Sequence, residues 1–423
     1  MLAAMKRALG CLRLPASSWV LADQIVVSGT NFATGVLVAR SLGIAGFGVF
    51  SLAWMVVLFV QSFQQALIFS PMMSIGPKQP EGEAHAYYAA VAVQQLALCG
   101  GVSLCVGAAW ALDRALSLDW SVASIAGALA VCIFVVQVHE FLRRYNFTLR
   151  RVRSVLISDL VRNLIQLGLL AALLPHGAGF GVSGILLIIA ACAAVGILAL
   201  AAHLPGLRPS LAGVRTVTRR HFHFSKWLAG SALLQWTTGN FFVVAAGVLL
   251  GPIAVGALKA AQNLVAVTHI FFQAAENGVP PRAARVFHQQ GVEGLRRFTK
   301  ILLLFSVIGT TLVSAAIALP ASMWLKILFG PEYSGYGPLV VGYACSYVIM
   351  ALSAPLRFAL MAMEKGRPLF TGYIISTVFT LIFSYPMVTI FGVYGVLTGI
   401  IVAQVIRLMV SIREIRYLSD HSR

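Results

Sequence analysis

Charge is what this sequence has least of, and negative charge least of all. Only 10% of the 423 residues are Asp, Glu, Lys or Arg, while 59% are hydrophobic. An average soluble domain carries roughly 25% charged residues, so a soluble globular fold is excluded. The 13 acidic residues stand against 31 basic ones, a net charge of +18. Such an excess ordinarily points to nucleic acid or an anionic surface. Here the cations sit in short segments between long apolar runs, which leaves no nucleic-acid-binding domain. The signature G-x-x-x-x-G-K-[ST] is absent, so nothing in the chain argues for a nucleotide-driven pump. C-x-x-C is absent as well. Cys11, Cys99, Cys105, Cys132, Cys192 and Cys345 are scattered in or beside apolar runs. They read as small buried hydrophobes, with no metal site, cofactor site or disulfide framework implied. His221 and His223 flank Phe222 without a second ligand pair, which suits an interfacial position better than a metal site. Gly179-Phe180-Gly181-Val182-Ser183-Gly184 satisfies G-x-G-x-x-G in letters only. It follows no strand and has no acidic residue about 20 positions later, so it reads as a turn before a small-residue helix face.

What the chain does have is apolar length. Uninterrupted runs fall at 18–40, 46–70, 87–112, 120–142, 154–174, 180–202, 226–250, 253–279, 299–325, 336–363, 369–391 and 393–412. Membrane helices need about 20 apolar residues, membrane strands only about 9–11 with alternating polarity, so these are helices. The fold class is therefore an all-α polytopic membrane protein of twelve transmembrane helices. Lys6, Arg7 and Arg13 precede the first run as in a signal peptide, but the run is too long and lacks a small-residue cleavage pattern. It is expected to be retained as the first span. Alternating the loops between two sides places 24 of the 31 basic residues on one side and only Arg40, Arg114 and Lys326 on the other. Arg162, Lys259, Arg357 and Arg407 remain inside spans. Cytoplasmic loops retain Lys and Arg, so the basic side and both termini are expected in the cytoplasm.

The chain also resembles itself. At an offset of 208, Trp19-Val20-Leu21-Ala22 falls on Trp227-Leu228-Ala229-Gly230, and Leu42-Gly43 with Gly48 falls on Leu250-Gly251 with Gly256. Asn31-Phe32 matches Asn240-Phe241 at 209, and Gly181-Val182-Ser183-Gly184 matches Gly392-Val393-Tyr394-Gly395 at 211. Six spans per copy is even, so the repeat is parallel, about an axis along the membrane normal. The expected organisation is an amino-terminal six-helix bundle over 1–202, a basic cytoplasmic linker over 203–225, and a carboxy-terminal bundle with a short tail over 226–423. Two such halves around a central pathway suit a transporter, and the short loops leave no room for an enzymatic domain. Gly247/Gly251 and Gly395/Gly399 have the small-xxx-small spacing of helix packing.

Polar residues inside spans cost free energy and ask for a reason. The eighth run carries Lys259, Gln262, Asn263, His269, Gln273, Glu276 and Asn277 at steps of three, four and seven, which predicts one continuous polar face. In the second run Gln61 and Gln65 fall where His269 and Gln273 fall, so two facing stripes imply a cavity between the halves. The fifth run adds Asp159, Arg162, Asn163 and Gln166; the first adds Asp23, Asn31 and Thr34; the seventh adds Asn240. Alternatives stand beside these roles. Asp159 and Arg162 can pair at i, i+3, Glu140 can pair with Arg143 or Arg144, Arg407 and Glu276 can snorkel, and Arg40 can be a rim anchor. Lys259 and Arg357 have no acidic residue within four positions. Embedded cations outnumber embedded acids, which favours an anionic substrate. Arg40, Arg162, Lys259 and Arg357 are the candidate substrate-binding cations, and Asp23 and Asp159 the candidates for ion coupling. A lipid-linked sugar fits energetically: its hydroxyls need a polar cavity while the tail stays in the bilayer. Moving about two negative charges outward is favoured by roughly 4.6 kcal/mol per 100 mV of inside-negative potential.

Asp23-Gln24, Asn31-Phe32, Ala39-Arg40-Ser41-Leu42-Gly43, Phe47-Gly48-Val49-Phe50, Arg143-Arg144-Tyr145-Asn146-Phe147 and Phe224-Ser225-Lys226-Trp227 together resemble the bacterial polysaccharide or O-antigen flippases. These belong to the multidrug/oligosaccharidyl-lipid/polysaccharide exporter superfamily. The resemblance implies two six-helix bundles in alternating access in a bacterial inner membrane. It implies a lipid-diphosphate oligosaccharide moved to the outer leaflet for surface polysaccharide biosynthesis, with membrane lipids and a polysaccharide polymerase with its chain-length machinery as partners. The scarcity of buried acids departs from an ion-coupled pattern. An ion-coupled multidrug exporter, a membrane-embedded glycan polymerase and a non-transporting scaffold are the competing readings. Short outer loops, with only Asp113, Asp119 and Glu332 as acids, weigh against the polymerase.

Overall fold

The computed structural model describes residues 16–116, 123–173, 181–201 and 211–421. Lys6, Arg7, Cys11, Arg13, Asp119, Gly179, Phe180, Arg208 and Arg423 lie outside them. Among the described residues every regular element is helical. Nine helices are long and apolar enough to cross a membrane, and the longest run much farther than one crossing. Ala22–Lys78 holds 57 residues, about 85 Å of helix against a hydrocarbon core of about 30 Å. It is broken at Gly43, whose φ of +67° ends one helix and begins the next. Gly392 (φ +58°) divides Gly366–His421 in the same way, and Gly291 (φ +65°) divides His269–Ala318. These positions require glycine because side-chain-bearing residues rarely adopt φ above zero.

The result is twelve spans. Spans 1 and 2 cover 16–42 and 44–75; spans 3 to 7 are Glu81–Leu116, Ala123–Thr148, Val152–Leu173, Val182–Ala201 and Leu211–Leu249. Span 8 covers 252–290, span 9 covers 292–318, span 10 is Gly337–Ala362, and spans 11 and 12 cover 366–391 and 393–421. One expectation needs adjusting. The ninth span stops at Ala318 and not near 325, because Pro320 interrupts it; Ala321–Leu328 is a separate short helix that buries Ala321 and Leu325. Of the basic linker expected over 203–225, residues 211–225 are helical and continuous with span 7. No proline falls within Leu211–Leu249 to stop that helix.

The repeat is written into the backbone. Gly43 and Gly251, 208 apart, share one conformation, φ +67° and +86° with ψ 179° and 178°. Spans 2 and 8 then cross at Gly48 and Gly256. A Cβ on Gly48 would meet the Pro252 carbonyl, and a Cβ on Gly256 would meet the Ile44 carbonyl. Ile44 and Pro252 are also 208 apart, so the two contacts exchange under the repeat. A second shared device is the turn between spans 4 and 5 and between spans 10 and 11. Arg150 and Glu364 both take φ +58°. Arg151 donates to the Asn146 carbonyl as Lys365 does to that of Leu360, each bond spanning five residues.

Packing inside each half is apolar, with Val38, Val57, Ile133, Ile185 and Leu258 fully buried. Spans 9 and 11 turn Leu304, Phe305, Leu312, Leu381 and Ile382 outward, as a lipid-facing surface requires. The small-xxx-small glycines serve packing: Gly247 faces Leu52, and Gly399 faces the Phe242 ring. Substituting Gly48→Val or Gly256→Val is expected to destabilise by about 1–3 kcal/mol through overpacking. Gly29→Ala, which meets nothing within 4 Å, is expected to be neutral or stabilising by up to about 1 kcal/mol. Thermal unfolding in detergent micelles checks the contrast.

Candidate functional site

Spans 2 and 7 border an open cavity of about 640 Å³ between the two halves. Its polar walls are Gln61, Ser62, Gln65 and Ser70 from span 2 and Ser231, Gln235 and Asn240 from span 7, with Trp236 beside them. Among the described residues no charged side chain lines it. A five-residue π-turn at Gln65–Phe69 lets span 2 present this face. The extra residue is stabilised by Ser70, whose hydroxyl donates to the Gln65 carbonyl at 2.8 Å and lies 3.4 Å from Gln65 Nε2. Such turns recur at functional positions because they re-aim side chains without ending the helix. Asn240 spends one amide proton on the Trp236 carbonyl at 3.1 Å, and Trp236 packs edge-on against Phe59 at 4.6 Å. Sequence reasoning missed Ser231, Gln235 and Trp236; a Gln near an Asn in an apolar run is the signal that points to them.

The other seam between the halves runs along spans 1 and 8. Lys259 Nζ donates to Gln262 Oε1 at 2.9 Å, and Asn263 Nδ2 donates to the Phe32 carbonyl of span 1 at 3.4 Å. Gly35 makes room for the Asn263 amide, and Asn31 is exposed one residue before Phe32. Four members of the expected polar face of span 8, Lys259, Gln262, Asn263 and Glu276, are described. Residues 266–268 form a 3-10 turn, which advances about 120° per residue instead of 100° and rotates the helix beyond it. On the near side of this turn Asn263 meets span 1 with Lys259 and Gln262 paired beside it, while beyond the turn Glu276 faces span 10 and accepts from Arg357 Nη2 at 2.6 Å. The side chains of His269, Gln273 and Asn277 lie outside the described residues. Arg357, Arg407, Tyr373, Gln404 and Glu276 line a smaller cavity of about 140 Å³ inside the second half.

Arg40 closes the face opposite the basic one. Its Nε donates to the Leu328 carbonyl at 2.8 Å and its Nη2 to that of Ile327. A cation from span 1 thus caps the carboxy-terminal carbonyls of the short helix Ala321–Leu328 in the other half. Phe47 and Phe329 rings meet at 6.3 Å beneath it. The four candidate cations therefore occupy four separate places and do not form one site.

Arg162 belongs to a buried charge cluster in the first half. Arg143 of span 4 reaches Asp23 of span 1 at 2.8 Å, Glu140 at 2.6 Å and Asp159 of span 5 at 2.6 Å. Arg144 pairs with Glu140 at 2.9 Å, so Glu140 takes both local partners. Asp159, in contrast, pairs across helices with Arg143 and not with Arg162 three residues on. Arg162 Nη1 instead lies 3.0 Å from His139 Nδ1. His139 fits because Gly196 of span 6 offers no side chain against its ring. Alternation of loops predicts Arg143 at the edge of the basic face, and no local spacing announces a partner 120 residues away. Above this cluster Gln166 donates to Thr34 at 2.9 Å, and Asn163 is buried beside it. Gln64, Gln95 and Gln137 bind spans 2, 3 and 4 through the Gln137 and Val57 carbonyls.

No family model and no curated protein matches the sequence. Solved structures do match. An inward-facing multidrug resistance MATE family transporter of the MOP superfamily superposes with TM-score 0.77 at 16% identity, over 97% of this chain and 100% of that one. An outward-facing one gives TM-score 0.66 at 16% identity, over 95% and 94%. A MOP superfamily transporter from Pyrococcus furiosus, described as having a binding pocket of reverse polarity, gives 0.66 at 15% identity, over 95% and 94%. The fold of this chain is that of these transporters: two six-helix repeats. Replacing Arg143 with Met, which strands Asp23 and Asp159 without a cation, is expected to destabilise by about 3–5 kcal/mol. Retention of the folded monomer on heating and size-exclusion chromatography checks this, with Arg144→Met, whose loss leaves Glu140 its other partner, as the milder comparison.

Proposed function

We propose that the protein is a secondary membrane transporter that moves an isoprenoid-diphosphate-linked oligosaccharide from the cytoplasmic to the outer leaflet by alternating access. The observation that carries this reading is the 640 Å³ cavity between the halves, whose described polar walls are amides, hydroxyls and one indole. A polyhydroxylated head group needs many neutral hydrogen-bond partners, because each unmet hydroxyl carries a desolvation cost. Amide side chains offer both donors and acceptors, and an indole face suits the apolar face of a sugar ring. A cationic drug would ask for carboxylates there. On this reading Lys259 at the span 1 seam attends the diphosphate. Coupling acts at the Asp23–Arg143–Asp159 bridge, where adding a proton to either carboxylate would loosen Arg143.

Multidrug export is the second reading, favoured by the descriptions of the inward- and outward-facing neighbours. Proteoliposomes decide between them. Purified protein is expected to bring an internal lipid-diphosphate oligosaccharide within reach of an external glycosidase. Gln61→Leu with Gln235→Leu is expected to slow this roughly thirtyfold, two hydrogen bonds at about 1 kcal/mol each. Efflux of cationic dyes without movement of the glycolipid would overturn the proposal in favour of drug export.

A further inference from the structure

The same two helices that wall the amide cavity form a second, larger cavity one turn farther toward the basic face. It measures about 900 Å³ and lies between the end of span 2 and the start of span 7. Ser74 and Lys78 face Arg215, Arg219, Arg220 and His223 across it, and among the described residues no carboxylate lines it. Ser70 in one cavity and Ser74 in the other are one turn apart, as are Leu228 and Phe224, so the two are stations along one furrow.

The basic wall is held in place. Tyr87 of span 3 meets His221 Nε2 at 2.8 Å, and Gln94 donates to Thr218 at 2.8 Å. These contacts fix one side of the helical extension 211–225 and leave Arg215, Arg219 and Arg220 on the other, at helical spacing. Like charges at i, i+4 repel, so this arrangement is costly without an anion between them. The furrow also opens toward apolar aromatic surface. Phe222, Phe224 and Trp227 are 64%, 42% and 69% exposed on the same helix. Aromatic side chains of this kind belong at the membrane–water boundary. Fixed cations beside lipid-facing aromatics suit a ligand with an anionic head and an apolar tail better than a soluble anion.

We propose that this basic end of the furrow between spans 2 and 7 is a receiving site for the phosphate headgroup of an anionic membrane lipid. Arg215, Arg219 and Lys78 bind the phosphate oxygens, and the tail lies in the bilayer along Phe224, which lines the cavity, and Trp227 three residues on. The inference rests on the transport reading only for where the lipid goes next, into the amide cavity; binding itself stands apart from it.

The test uses the full chain in phosphatidylcholine nanodiscs with farnesyl diphosphate as probe, and inorganic diphosphate and farnesol as head-only and tail-only comparisons. Farnesyl diphosphate is expected to bind more tightly than either. Arg215→Gln with Arg219→Gln is expected to weaken it by about tenfold per arginine, with unfolding temperature unchanged because both side chains are exposed. Arg285→Gln with Arg297→Gln removes equal charge elsewhere on the basic face and is expected to leave binding intact. Unchanged affinity in the first double variant, an equal loss in the second, or inorganic diphosphate binding as tightly as the lipid would each overturn the site. Wild-type binding without glycolipid movement in proteoliposomes would sink the transport reading alone. Movement that survives the Arg215/Arg219 double variant, with its binding also unchanged, would sink the receiving site alone.

Discussion

Two glycines bring the halves together. Where spans 2 and 8 cross, Gly48 lies on the Pro252 carbonyl and Gly256 on the Ile44 carbonyl. Lipid offers no hydrophobic drive for helix association, so close approach of backbones has to supply the contact. Only hydrogen in place of Cβ permits it at this crossing. Other features depend on that approach. Arg40 comes within reach of the Ala321–Leu328 carbonyls, Phe47 meets Phe329, and Asn263 reaches Phe32. The halves are thereby tied on the side opposite the basic face, and the furrow between spans 2 and 7 opens toward the basic one. Its two stations differ in chemistry: cations at the mouth, amides within.

The first half is held by charge as well as packing. Taking carboxylates and guanidinium groups out of water costs several kcal/mol per ion, and mutual attraction offsets this only with good geometry. Arg143 supplies that geometry with three carboxylates at 2.6–2.8 Å drawn from three spans. The second half holds a single described cross-span pair of this kind, Arg357 with Glu276, and it is partly exposed. Two copies of one unit have thus diverged: the backbone devices at Gly43/Gly251 and Arg150/Glu364 are shared, but the buried charges are not.

Much of this was legible in the sequence. A helix must present about 20 apolar residues to cross the bilayer, a local requirement, so composition alone determined twelve spans, their alternation and the basic face. The offset of 208 was equally visible, because a glycine needed for positive φ or close approach tolerates no replacement. Gln61, Gln65 and Asn240 stood out as amides in apolar runs, and they wall the cavity.

What only the tertiary structure decided is which polar group meets which. Arg143 and Asp23 are 120 residues apart, Arg357 and Glu276 are 81 apart, and Arg40 meets carbonyls 287 and 288 residues on. No periodicity encodes such partners. On either side of the 3-10 turn at 266–268, Asn263 meets span 1 and Glu276 meets Arg357 of span 10, since a few tens of degrees of phase decide what a helix face meets. Within the basic linker, 211–225 is helical and is held against span 3 by Tyr87 and Gln94. Hydrophobic length is a property of one segment; pairing is a property of several brought together, and the sequence by itself determined only the first.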